Sequence, residues 1–200
     1  MVDIDGYISL TDFGLSKKMS GRARTNSFCG TPNHFSPEIV NRNYYSFEVD
    51  IWSFGVLLYE LLVGRCPFSG KSIKDLFDKI SNCECGNDII EYPICVSETA
   101  KDLISNILTK KEKRFNIQQI KSHPFYKDIN WDNILNKKEK APFKPKLRNN
   151  EDTKYFYIFE NEKKEIKKSD IFLDSTFTLE ESLSTTECFS YESIIDNIHL

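Results

Sequence analysis

Val49-Asp50-Ile51-Trp52-Ser53-Phe54-Gly55-Val56-Leu57-Leu58-Tyr59-Glu60-Leu61-Leu62-Val63-Gly64 is the stretch on which the fold turns. Read with a period of about 3.6, its apolar residues fall on nearly every side, and Gly64 supplies the stop. Such a helix is stable in water only when other elements surround it, so residues 49–63 are expected to form a central core helix. The stretch contains Asp50 and Glu60 and is shorter than the ~20 residues of a membrane span, so no transmembrane segment is expected.

Downstream, Ser72-x-x-Asp75 opens an amphipathic helix with Ile73, Leu76, Phe77 and Ile80 on one face. Thr99-x-x-Asp102 reads as the start of another, carrying Leu103, Ile104, Ile107 and Leu108. A shorter helix over 117–121 should stop near Pro124. Upstream, residues 12–48 are polar and turn-rich with no sustained period, which in a globular chain marks a functional loop. Residues 2–4 and 7–11 flank Asp5-Gly6, a tight-hairpin signal. Asp3-Ile4-Asp5-Gly6 is no calcium loop, because its glycine comes too early and no glutamate holds the twelfth position. The expected body is mainly α: a small β-hairpin, a long loop and about four helices.

The chain has 200 residues, 40% of them hydrophobic, which excludes a wholly disordered or collagen-like protein. Residues 151–200 hold 5 Lys and Arg against 12 Asp and Glu, so the net charge of -3 hides a mildly basic body and an acidic tail. That balance gives no argument for a nucleic-acid partner. All eight glycines lie at or before Gly86 and all seven prolines at or before Pro145, so the end reads as an extended tail. Its basic stretch (Lys137, Lys138, Lys140, Lys144, Lys146, Arg148) is expected to be a solvated linker face. The six cysteines lack disulfide-scaffold spacing, and Cys83-x-Cys85 with Cys95 has no nearby histidine to make a zinc set. With no leader-like start, the expected setting is cytoplasmic or nuclear, with reduced thiols.

Four strings carry chemistry. Asp12-Phe13-Gly14 puts a carboxylate and a hinge glycine after a strand, as suits a Mg²⁺ held against phosphates. Phe28-Cys29-Gly30-Thr31-Pro32-Asn33-His34-Phe35-Ser36-Pro37-Glu38 follows, then Asp50-Ile51-Trp52-Ser53-Phe54-Gly55, then Lys113-Arg114-Phe115 with His123-Pro124-Phe125. In this order and spacing they resemble the C-terminal lobe of eukaryotic protein kinases: Asp-Phe-Gly, an activation loop ending in Ala-Pro-Glu, and a helix with Asp-x-Trp-Ser-x-Gly. Thr31-Pro32 resembles the serine/threonine type. Phe28-Cys29-Gly30-Thr31-Pro32, Pro142-Phe143-Lys144-Pro145 and Asp152-x-x-Tyr155-Phe156 resemble the AGC group, named for kinases regulated by cyclic nucleotides and lipids.

The resemblance implies a partial kinase domain over 1–125 and an AGC-type tail over 126–200, with ATP and Mg²⁺ as cofactors. It implies that Asp12, beside Thr11, chelates the Mg²⁺ bridging the ATP phosphates, and that Phe156 packs near the adenine. Ser27 matches the activation-loop site phosphorylated by an activating kinase, with Lys17 as a cationic partner of that phosphate. Thr31 matches the residue that hydrogen-bonds the catalytic aspartate, and Asp50 the acceptor of catalytic-loop backbone N–H groups. Glu38 and Arg114 match a structural ion pair. Glu60 matches a carboxylate receiving basic side chains of a protein substrate. Thr186-Glu187-Cys188-Phe189-Ser190-Tyr191 resembles a hydrophobic motif in which Ser190 is phosphorylatable. Asn33, His34 and Ser36 stand where the family has Glu, Tyr and Ala, and the lost glutamate weakens a preference for strongly basic substrates. Thr186 replaces the first aromatic of the hydrophobic motif, and Tyr157 an expected aspartate.

The 200 residues contain no Gly-x-Gly-x-x-Gly, no Val-Ala-x-Lys and no His-Arg-Asp. Phosphoryl transfer needs these parts together. The resemblance therefore implies a chain that lacks the small lobe and starts just after the catalytic loop. Such a chain is expected to be inactive and, with the core helix uncovered on one side, prone to aggregate. The alternative expectation is a truncated, non-catalytic binding or decoy module.

Overall fold

The computed structural model describes residues 1–20, 23–83, 90–149 and 151–155. Its described residues divide into two compact units, one containing Met1–Asp12 with the residues from Asn130 to Tyr155, the other Phe13–Ile129. The hairpin thus clusters by its contacts with the described residues that follow Asn130.

In the helical unit, α1 spans Pro37–Val40, α2 Glu48–Val63, α3 Ile73–Ser81, α4 Glu98–Ile107 and α5 Ile117–Lys121. Short 3-10 turns at Pro32–His34 and Pro124–Tyr126 were not foreseen, nor was α1. The central helix ends where expected: Gly64 adopts φ +78 and its N–H returns to the Glu60 carbonyl. Ser72 caps α3 by accepting from the Asp75 N–H. The cap of α4 is Ser97, which accepts from the Ala100 N–H, so the expected start at Thr99 is two residues late. Ser97 is preceded by Val96, which is buried, and that anchor fixes where the chain enters the helix. Asn116 and Gln119 form a reciprocal capping box on α5.

The core gathers Trp52, Val56 and Tyr59 of α2, Phe68, Leu76 and Ile80, and Leu103, Ile104 and Ile107 of α4. Trp52 stacks on Phe68 at 5.5 Å between ring centroids. Gly55 lets α2 and α4 touch, since a β-carbon there would lie 2.4 Å from Ile107 Cγ2. His123 ties α4 to the following turn, with Nε2 2.9 Å from Asp102 Oδ2 and Nδ1 accepting the Phe125 N–H. One stripe of α2 remains outside this packing: Phe54, Leu57 and Leu61 are 37%, 48% and 61% exposed. Among the described residues no helix is long and apolar enough to cross a membrane.

The other unit builds its turn on Asp3, whose carboxylate accepts from the N–H groups of Asp5 and Tyr7. Val2 and Ile8 form a single antiparallel bridge, so the expected hairpin is present as a turn with one bridge and no extended strands. Gly6 has φ +88, and a β-carbon there would lie 2.0 Å from the Phe143 carbonyl oxygen. The tail, which includes α6 (Trp131–Leu135), pairs its lysines with this turn. Lys137 Nζ lies 2.7 Å from Asp3 Oδ2 and Lys144 Nζ 3.1 Å from Asp5 Oδ1. The Lys137 hydrogen bond holds the Asp3 carboxyl below its ordinary range and raises the lysine in return. Two of the cations expected to face solvent as a linker are therefore partners of the hairpin's acidic turn.

Candidate functional site

Arg114 sits at the centre of the helical unit's polar framework. Its Nη1 and Nη2 donate to Glu38 Oε1 and Oε2 at 2.6 and 3.1 Å. Nη1 also donates to the Glu48 carbonyl, and Nε and Nη2 to the Thr109 carbonyl. All five guanidinium N–H donors are thereby used, which is what a buried arginine needs. The ring of Trp52 lies 5.0 Å below the guanidinium. One cation thus fastens α1, the start of α2 and the segment just after α4.

That fastening holds one end of the long loop. A cavity of about 720 Å³ opens against it, lined among others by Lys17, Ser27, Thr31, Phe35, Tyr45 and Asp50. Thr25 and Tyr45 pair through both backbone hydrogen bonds, and the Tyr45 hydroxyl donates to the Ser27 carbonyl at 2.8 Å. Burial pushes that hydroxyl above its ordinary pKa. Lys17 Nζ lies 3.3 Å from Thr25 Oγ1, which in turn lies 3.0 Å from Ser27 Oγ. The structure so brings together Lys17 and Ser27, linked by Thr25, a residue the sequence did not single out. Arg42, also not foreseen, lies over the Phe28 ring at 3.3 Å.

Asp50 is exposed at the cavity wall, yet desolvation raises its carboxyl above the ordinary aspartate value. Thr31 is exposed and its carbonyl accepts the His34 N–H, opening the 3-10 turn. Gly30, at φ +117, faces Phe35 closely enough that a β-carbon would crowd the ring.

Asp12 and Thr11 are exposed residues at the end of the hairpin unit. Asp12 has φ +62, a left-handed conformation that aspartate tolerates and that often marks a functional position. Phe156 and Ser190 lie outside the described residues.

Glu60, in the last turn of α2, is partly buried beside His34 and Cys66. Its Oε2 lies 3.7 Å from His34 Nε2, and Cys66 Sγ donates to its Oε1 at 2.8 Å. Neither neighbour was a sequence candidate for chemistry. The only available signal was that both stand close to motif positions, at the turn of the loop and just past the helix stop.

Residues 1–126 match the protein kinase domain family. Protein kinase C delta type of Mus musculus is 40% identical over 174 residues, covering 85% of this chain and 25% of that protein. Serine/threonine-protein kinase gad8 of Schizosaccharomyces pombe is 42% identical, covering 78% of this chain and 27% of that protein. RAC-beta serine/threonine-protein kinase of Rattus norvegicus is 37% identical, covering 78% and 33%. The chain spans about a quarter to a third of the length of these relatives.

Proposed function

The chain belongs to the protein kinase domain family, in the AGC group of serine/threonine kinases, and from that premise we propose that it carries the C-terminal lobe and tail of an enzyme moving the γ-phosphoryl group of ATP to protein serine or threonine hydroxyls. The observation that carries this reading is the sealed Glu38–Arg114 pair, which fixes the loop bearing Ser27 and Thr31 to the helical body. A loop fixed at its end can be ordered by a phosphate placed along it.

The residues present fit a metal–nucleotide in part. Asp12 offers one carboxylate at a positive φ, and a Mg²⁺ bound with phosphates takes one or two carboxylates. When bound, that ion neutralises charge on the phosphates. Thr11 and Asp12 would hold it, with Phe156 against the base. Thr31 would position the catalytic aspartate, and Asp50 would accept backbone N–H groups of the catalytic loop. Glu60 would receive a basic substrate side chain. Ser27 would be phosphorylated by an activating kinase and held by Lys17, and Ser190 would be a second regulatory position. A cytoplasmic or nuclear setting accompanies this reading.

The exposed stripe of Phe54, Leu57 and Leu61 supports a further part of it. Those side chains mark where additional polypeptide would pack. Since the 200 residues hold no Gly-rich loop, lysine strand or catalytic base motif, we propose that they transfer no phosphate alone, because preorganised charges must act together. The test compares residues 1–200 with a chain extended upstream through the catalytic loop and small lobe, using Mg-ATP and a peptide substrate. Transfer is expected from the extended chain, with loss on Asp12→Asn, and none from residues 1–200. Activity of residues 1–200, or an extended chain indifferent to Asp12→Asn, overturns the reading. The same exposed stripe also favours a second reading, a non-catalytic binding module, for which an in-frame stop codon directly upstream of Met1 would decide.

A further inference from the structure

His34, Glu60 and Cys66 come from three places in the sequence and meet at the end of α2. Their donor atoms, imidazole nitrogen, carboxylate oxygen and sulfur, all lie within 4.8 Å of one another. Cys66 is buried, and the side chains of His34 and Glu60 are only 34% and 28% exposed. Asn33 Nδ2 lies 3.7 Å from the sulfur, where an N–H would steady the thiolate once the thiol has lost its proton.

We propose that these three side chains form a binding site for Zn²⁺, with a fourth coordination position left for water. The donor set argues for the metal. A thiolate and an imidazole select a borderline-soft ion, whereas Mg²⁺ and Ca²⁺ take oxygen donors. Bond lengths of about 2.0 to 2.3 Å around a tetrahedral zinc place its ligand atoms roughly 3.2 to 3.8 Å apart. The His34–Glu60 separation of 3.7 Å already falls in that range. The Cys66–Glu60 contact of 2.8 Å is a thiol hydrogen bond and must open slightly. It opens as the metal binds: the Cys66 S–H bond breaks, its proton passes to solvent, and a sulfur–zinc bond forms with no change of oxidation state. Partial burial shields the ligand atoms from competing water, while the exposed edges of His34 and Glu60 leave an entry path.

One consequence rests on the reading of Glu60 given above. A metal on Glu60 withdraws the carboxylate from a basic substrate side chain, so zinc would oppose substrate binding. The metal site itself stands without that reading, and its test uses no activity.

The probe is Co²⁺ added to the reduced, metal-stripped 200-residue chain. One equivalent is expected to give the intense visible bands of tetrahedral cobalt and a near-ultraviolet thiolate-to-cobalt charge-transfer band, both removed by Zn²⁺. Cys66→Ser should abolish the charge-transfer band, and His34→Phe and Glu60→Gln should each weaken binding by about tenfold or more. Cys29→Ser and Cys95→Ser should leave band and affinity intact. If Cys66→Ser does not fold by circular dichroism, alkylation of the parent chain decides: Zn²⁺ must slow labelling of Cys66 selectively. An octahedral spectrum, binding of many equivalents without the sulfur band, a band that survives Cys66→Ser, or loss of the band on Cys29→Ser or Cys95→Ser overturns the proposal. Failure here leaves the kinase reading untouched, since Glu60 can serve a substrate without a metal.

Discussion

The guanidinium of Arg114 grips both carboxylate oxygens of Glu38 across 76 residues of sequence, and the two side chains are only 1% and 6% exposed. A pair this dry has already lost its hydration, so its worth lies in completeness. Loss of either partner leaves one buried charge unanswered, and loss of Arg114 also strips the Glu48 and Thr109 carbonyls of their donor.

Glu38→Leu or Arg114→Met should therefore cost about 3–5 kcal/mol of unfolding free energy. Joining Glu38→Leu to Arg114→Met should cost less than the sum of the single losses, because no orphan charge remains. Urea denaturation of the four proteins gives the cycle. Additive losses would show that the two side chains act independently.

Ser36 tests the opposite error, a polar group buried without reward. Its hydroxyl is sealed and has no hydrogen-bond partner among the described residues. Ser36→Ala should raise stability by about 1 kcal/mol, read as a higher urea midpoint at unchanged slope. A drop would mean that an ordered water answers the hydroxyl.

The central helix, its glycine stop and the α3 cap were legible because each depends on a local pattern: period, αL glycine, and a serine oxygen facing the third N–H. The Glu38–Arg114 match came from resemblance to a family, since nothing in either residue's neighbourhood announces the other. The cap at Ser97 was missed because Thr99 offers the same hydroxyl, and the choice is made by Val96 docking in the core. The α1 turn is too short to leave a period, and the lysines of the tail revealed no partner because their acids lie 134 and 139 residues away. Convergence of His34 and Cys66 on Glu60 is likewise tertiary.

Asp50 gives the chain an acid-sensitive term of definite sign. Desolvation raises its folded-state pKa, so this carboxyl favours the folded state below its unfolded value near ~4. That contribution is lost as pH rises through the folded-state pKa. Asp50→Asn should then be more stable than the parent at neutral pH and converge with it at pH of about 3. Glu48, held low by Lys111 and backbone N–H groups against the opposing effect of burial, slopes the other way, so the difference between Asp50→Asn and parent isolates the aspartate. Urea midpoints across pH supply it; a parent that stays the more stable at neutral pH would mean Asp50 is well solvated.

Lys17 and Ser27 are joined through the hydroxyl of Thr25, at 3.3 and 3.0 Å. A phosphate on Ser27 brings close to two negative charges within reach of that ammonium. One charge-assisted hydrogen bond gained in this way is worth about 1.5 kcal/mol, near tenfold in the opening equilibrium of the loop. Hydrogen exchange in peptides from residues 13–20 and 23–35 should slow by about that factor on phosphorylation. Lys17→Gln should remove most of the slowing while leaving exchange in α4 unchanged. Because the pair lies near the surface, added salt should reduce the protection as well. Protection that survives both Lys17→Gln and high salt would assign the phosphate to another cation, with Arg42, which lies over the Phe28 ring, the first to examine by the same substitution.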